Sequence, residues 1–296
     1  MKPIINTLLA GLFAAWLTFT TAFVLLRLVP TSALEARISL SELNAVEAQR
    51  ITSEYGLDQS VSAQYLNQLM QYLGGDLGRS LRTGQPVTLL LGTRLRNTLE
   101  LVGTVSALSV VLSVLLAWAA FQSRAVLALV EASSVISLSA PVYWTGLLAL
   151  LVVGGWFGLP QSSFLLPVLV LTFHLTAQMS RALVVMLHHA EQMPFVVYGQ
   201  SKGLPAALLW FRYVLRPSAA AFIALFASQM AILLGSTVTV EALFARPGVG
   251  TMLVDAVIAR DYPVVQGAVL LLALLSLVVG LGSQMLSQFV DPRVRS

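Results

Sequence analysis

"YGQSKGLPAALLWFRYVLRP", residues 198–217, interrupts a chain that is otherwise apolar and poor in charge. Lys202, Arg212 and Arg216 sit in it together with two glycines and two prolines, and long apolar runs lie on either side. Soluble domains are about 45–50% apolar and about 25% charged. The 296 residues here are 57% hydrophobic and 10% charged, with a mean hydropathy of +0.84. That composition describes an integral membrane protein, so 198–217 reads as a polar connection between two spans.

A helix needs about 20 apolar residues to cross a hydrocarbon core of about 30 Å. Six stretches meet that length, near 7–29, 98–121, 126–153, 164–187, 218–240 and 264–288. The expected fold is therefore all-α and polytopic, with six transmembrane helices and one transmembrane domain over 1–296. The first apolar run is longer than a secretory h-region and reads as an uncleaved signal anchor. An even number of crossings returns both termini to one side, and the positive-inside rule names that side. Lys2, Arg124, Arg181, Lys202, Arg212, Arg216, Arg293 and Arg295 share it, while the short opposite loops hold Arg246 and Arg260 beside Glu241, Asp255 and Asp261. Both termini and the 188–217 loop are accordingly expected to be cytoplasmic. The balance of 17 basic against 13 acidic residues is too mild for a nucleic-acid surface.

The segment 30–96 is expected to be a small folded extracytoplasmic element. Tyr55-Gly56-Leu57-Asp58 and Gly74-Gly75-Asp76-Leu77-Gly78 supply turns around an amphipathic stretch of Val61, Tyr65, Leu66, Leu69 and Met70.

Motifs for catalysis are missing. The chain has no cysteine and no His-Glu-x-x-His, Gly-x-Ser-x-Gly or phosphate-cradling Gly-x-x-x-x-Gly-Lys-Ser/Thr. No catalytic residue and no metal site is assigned. His188 and His189 are adjacent, hence about 100° apart on a helix, and lack a ligating neighbour at i+3 or i+4. His174 lies inside the fourth span, where an ionisable group is a functional candidate by default; the plain reading is a neutral imidazole hydrogen-bonded to a neighbouring helix. The third span carries Ser133, Ser134, Ser137 and Ser139 before Pro141, then Tyr143 and Trp144. Small polar residues beside a proline kink suit either helix packing or a conduit, and Ser137, Tyr143 and His174 are the candidate path residues.

Around 198–217, Pro194 is placed to open a short helix running to about Ser201, Gly203 to end it, and Pro205 to start a second that stops before Pro217. Two short helices hinged on glycine make a rigid knob, with Arg212 and Arg216 on one face.

This loop resembles the cytoplasmic coupling loop of ABC importer permeases, most of all the dipeptide/oligopeptide/nickel branch. The matching residues are Gly199-Gln200-Ser201-Lys202-Gly203-Leu204 and Leu215-Arg216. The branch usually has alanine, arginine and alanine before the lysine, and a further arginine where Val197 stands. Two longer blocks are similar as well: "GGDLGRSLRTGQPVTLLLGTRLRNTLEL" at 74–101 and "EALFARPGVGTMLVDAVIARDYPVVQG" at 241–267, with "FVLLRLVP" at 23–30 and "VDPRVR" at 290–295.

The resemblance implies a type I ABC importer permease fold in a bacterial inner membrane. It also implies a second homologous permease, two cytoplasmic ATPase subunits that hold the ATP and Mg²⁺, and an extracytoplasmic substrate-binding protein, with no cofactor in this chain. The cargo would be peptides or nickel and other metal chelates. Glu191, Gly199, Lys202, Gly203, Leu204, Arg212 and Arg216 would form the ATPase-coupling loop. Phe244, Pro247, Gly248, Gly250, Arg260 and Asp261 would form an extracytoplasmic gate and binding-protein contact, built as a short re-entrant or surface helix-turn. An ion-coupled secondary transporter of small solutes is the alternative; it would need ionisable residues at mid-membrane, where only His174 fits.

Overall fold

The computed structural model describes residues 2–28 and 59–290, and side chains for most of them. The chain forms two compact units: residues 1–9, 98–246 and 275–296 make the first, and 10–97 and 247–274 the second. The described residues are helical apart from short connections and one isolated bridge between Arg79 and Pro86.

Among the described residues, five helices are long and apolar enough to cross a membrane, or six crossings if one bent pair counts as a single span. They are α1 (Lys2–Leu28), α3 (Val87–Gln122), α6 (Leu165–Glu191), α9 (Arg216–Leu243) and α11 (Tyr262–Val290), and the bent pair is α4 (Arg124–Ser139) with α5 (Val142–Ala149) and its continuation to Phe157. Shorter helices are α2 (Val61–Leu73), α7 (Pro194–Ser201), α8 (Ala206–Leu208) and α10 (Val249–Ile258).

The third expected span is not one kinked helix: its halves meet at 105°. Pro141 is the cause. It forces Ala140 out of the helical region, to φ −100° and ψ 120°, and lacks the N–H that would continue α4. Beyond the break α5 runs through a π-helical turn, Leu150–Gly154, to a last turn that Gly158 stops in a left-handed conformation at φ 63°.

Pro217 has the opposite outcome. Instead of ending a second short helix, it lies inside a continuous run: α8 passes into a π-helical stretch, Leu209–Leu215, and that into α9. A helix-interior proline lacks the N–H that would bond four residues back, and here the turn immediately before it is π-helical.

In the first unit α6 is the central rod, with Leu166, Leu171, Met179, Leu183 and Leu187 almost wholly enclosed. Leu101 and Val105 of α3 and Met230, Leu233 and Val240 of α9 pack on its first half. Ala117 and Ala120 of α3 and Val130 of α4 pack on its second half. Inside a bilayer such contacts hold by close packing, because lipid offers apolar side chains an equally good partner. Gly146 shows how tight the fit is. A Cβ there would lie 2.6 Å from Leu243 Cδ2 and 3.5 Å from the Phe244 ring.

The second unit is built on Val87 and Leu91 of α3 against Val249, Ala256, Val264, Val265 and Ala268. Gly267 faces Val87 with no room for a Cβ, the nearest methyl lying 2.8 Å away. α2 forms over the amphipathic stretch, but Val61, Leu66 and Met70 are exposed. Its aromatic residues point inward instead: Tyr72 packs edge-on against Phe19 at 5.2 Å, and the Tyr65 hydroxyl meets Thr20 Oγ1 at 2.8 Å. Gln68 of α2 also hydrogen-bonds to Gln266 of α11. The part of the 30–96 element before residue 59, including its Tyr55–Asp58 turn, lies outside the described residues.

One backbone strain is testable. Ala245 caps α9 at φ 49°, where a Cβ costs roughly 1–2 kcal/mol. Glycine would relieve that while losing about 0.5–1 kcal/mol to unfolded-state freedom. Ala245→Gly is therefore expected to raise the thermal midpoint of the purified protein slightly, and a fall would show that the cap is not strained.

Candidate functional site

Of the two short helices expected here, the first and its glycine turn are present, and the second is the leading end of the continuous run into α9. Met193 is extended, the conformation a following proline favours, and Pro194 opens α7. At the other end Gly203 takes φ +70°. Its N–H donates to Gln200 O at 2.9 Å, and the Leu204 N–H donates to Gly199 O at 3.3 Å, a Schellman closure. Gly199 is buried under Leu209, whose Cδ2 would lie 2.7 Å from a Cβ at that position. That packing explains why glycine stands where the resembled branch has alanine. Val196 and Gly199 form the inner face of α7, while Phe195, Val197 and Tyr198 are exposed outward. Lys202 Nζ lies 4.5 Å from the centre of the Tyr198 ring. Glu191 closes α6, Arg212 is exposed in the π-helical stretch, and Arg216 opens α9 with its side chain outside the described ones.

The 241–267 block splits between the units. Phe244, in the first, is fully buried beside Gly146. In the second, Gly248 is the N-cap of α10 and Gly250 is buried in its first turn. Pro247 is exposed, and its carbonyl accepts from Asn97 Nδ2 at 2.7 Å. A short helix-turn is thus present, and it ends at Arg260 with φ 55°. Asp261 is buried and holds the 79–86 loop closed: Ser80 Oγ donates to Oδ2, and the Leu81 N–H to Oδ1 at 3.0 Å.

Glu241, expected in a loop, instead lies fully buried within α9, accepting from Thr98 Oγ1 at 2.8 Å. Close to it in sequence, Arg246 pairs with Glu100 at 3.0 Å and stacks 4.4 Å from the Phe164 ring centre. Sequence reasoning missed this cluster because hydropathy alone does not show that α9 keeps its helical turns past Val240.

Of the three path candidates, two come together. Ser137 Oγ lies 3.0 Å from His174 Nδ1, and Thr145 Oγ1 lies 2.8 Å from Nε2. Thr145 Oγ1 donates to Val142 O at 2.9 Å, so it accepts from Nε2–H, while Ser137 Oγ is within reach of both Nδ1 and the His174 carbonyl, at 3.0 and 3.3 Å. The imidazole is tied by these hydrogen bonds to α4 and α5. Tyr143 is 54% exposed and takes no part in this network. Beside His174 a cleft of about 40 Å³ is lined by Val142, Leu171, Leu175, Gln178, Gln229 and Ser236 among others. Gln178, one helical turn after His174, was findable from that spacing; Gln229 and Ser236 were not singled out.

The sequence profile described as "Binding-protein-dependent transport system inner membrane component" matches residues 109–296. The chain belongs to this family. The permease is 26% identical over 307 residues to a nickel import system permease protein, NikB, of Staphylococcus aureus strain bovine RF122 / ET3-1, covering all of this chain and 92% of that one. Its counterpart in strain USA300 is 25% identical over the same span. Among solved structures, an amino acid ABC transporter with histidines matches 70% of this chain and 94% of its own, with a TM-score of 0.53 at 14% identity. That likeness shows a shared fold. The permease is thus a multi-pass inner-membrane protein of the ABC importer class, and the resemblance read from 74–101, 198–217 and 241–267 is borne out.

Proposed function

We propose that this permease is one of two homologous subunits forming the translocation path of an importer for peptides or nickel chelates. An extracytoplasmic binding protein delivers the cargo, and two ATPase subunits holding ATP and Mg²⁺ drive it through. In this reading both termini and 188–217 are cytoplasmic, while 30–96 and 241–267 face outward, the latter as gate and binding-protein contact. The relatives named for nickel import favour the metal-chelate end of the range, and the ion-coupled alternative is not favoured.

The observation that carries the proposal is the knob. A short helix closed by Gly203 and seated on Leu209 presents Phe195, Val197 and Tyr198 to solvent. Exposed apolar side chains on a rigid polar loop are the mark of a protein contact. Phe195→Asp and Tyr198→Asp place charge in that contact without touching the knob's inner face. Co-expressed with its companion subunits, each variant is expected to insert normally but to retain at least tenfold less ATPase subunit on purification. Unchanged recovery would remove the knob from the interface.

A further inference from the structure

Two glutamines lie halfway along two membrane-length helices and line the same cleft: Gln178 in α6 and Gln229 in α9. The Gln178 amide nitrogen donates weakly to Ser137 Oγ at 3.4 Å, which leaves its oxygen for the cleft. Gln229 makes no side-chain hydrogen bond among the described residues. An amide left unpaired in hydrocarbon is expensive. The surrounding face repeats the signal. Ser236 lines the cleft and Gly235 and Thr239 are exposed beside it, together with the apolar Ile232, whereas the exposed large side chains of α11 are all apolar: Leu274, Val278, Met285 and Leu286. Polar residues on a spanning helix face protein or a water-filled cavity rather than lipid.

The lining contains no carboxylate and no sulfur, and His174 has both ring nitrogens engaged by Ser137 and Thr145. A bare divalent cation would find no ligand set here. The available groups are amide donors and acceptors, and a volume of about 40 Å³ holds a few waters or one group of similar size.

We propose that Gln178 and Gln229 form a mid-membrane cargo subsite that receives an uncharged hydrogen-bonding group, an amide or hydroxyl of a peptide or of a chelate's organic ligand, in place of water. His174 positions Gln178 through their shared partner Ser137. This inference rests on the importer reading, and its test separates the two.

The chain has no cysteine, so a single introduced thiol can be followed without background. In the assembled importer, Gln229→Cys and Ser236→Cys are expected to react with a charged methanethiosulfonate at least tenfold faster than Val278→Cys on the exposed apolar face of α11. Reaction no faster than Val278→Cys would overturn the subsite, because the face would then be covered by lipid or by a second permease. In parallel, Gln178→Leu and Gln229→Leu are expected to lower uptake of glycylglycine, or of nickel offered with excess histidine, at least tenfold while the ATPase subunits still co-purify. Wild-type uptake by both leucine variants would equally overturn it. If the unsubstituted importer shows no nucleotide-driven uptake of either probe, the importer reading is what fails, and the thiol rates still decide whether the cleft is aqueous.

Discussion

Asp261→Ala is expected to open the 79–86 loop and expose it to trypsin. The carboxylate accepts from Ser80 Oγ and from the Leu81 N–H at 3.0 Å, with the Arg82 N–H farther off at 3.4 Å. Ser80 Oγ in turn accepts from the Thr83 N–H at 3.0 Å, so one side chain organises the whole turn. Hydrogen bonds to a charged acceptor contribute more than neutral ones, and stranding their donors costs about 1–3 kcal/mol each. Water can reach part of the loop, since Arg82 and Thr83 are exposed, so the net loss is set at about 2–4 kcal/mol. That corresponds to a roughly 30- to 1,000-fold larger open population. Arg79 and Arg82 are ready trypsin sites within the loop. Cleavage there should accelerate by a similar factor, and Asp261→Asn, which keeps an acceptor but not the charge, should fall between. A trypsin rate within twofold of wild type would show that the loop closes without Asp261.

Gly203→Val is expected to abolish uptake while leaving insertion intact. At φ +70° a side chain costs roughly 1–2 kcal/mol, and a β-branched one is the least tolerated. Apart from its two neighbours in sequence, no described heavy atom lies within 4 Å of where the Cβ would be. The valine therefore meets no neighbour in the knob; it strains the turn and projects into space that the proposed ATPase partner occupies. Lys202→Ala, by contrast, removes only an exposed cation–π contact of about 0.5–1 kcal/mol, and should leave uptake within a few-fold of wild type. The measurements are membrane insertion, ATPase co-purification and nucleotide-driven uptake of glycylglycine or nickel with histidine. Normal transport by Gly203→Val would reduce 198–204 to a solvated connector.

Much of this arrangement is legible in the sequence because its causes are local. Pro194 and Gly203 delimit α7 through φ restrictions that act within a few residues, and the turn after α2 follows from Gly75 and Gly78, both at positive φ. Apolar length locates the crossings for the same reason. What escapes is anything set by a distant partner. α3 begins at Val87, well before the apolar window at 98, because Val87 and Leu91 join Val264 and Val265 in one core cluster while Thr88, Thr93 and Arg96 are exposed on its other side. Glu241 looks like a loop residue until Thr98, 143 positions away, supplies its hydrogen bond. Pro141 and Pro217 make the point together. Both are prolines beside apolar runs, yet one stands at a 105° break and the other lies within a continuous helical run just after a π-helical stretch.

The uninterrupted passage from that π turn into α9 makes the helix a beam. Its 28 residues span roughly 42 Å at 1.5 Å per residue, with Gln229 near the fulcrum. A tilt of roughly 10° about that point would swing each end by about 4 Å in opposite directions, while the glutamine scarcely moves. Force applied at the knob end would thus reach Glu241 and Phe244 at the far end as a countermotion, with the amide at the centre held in register.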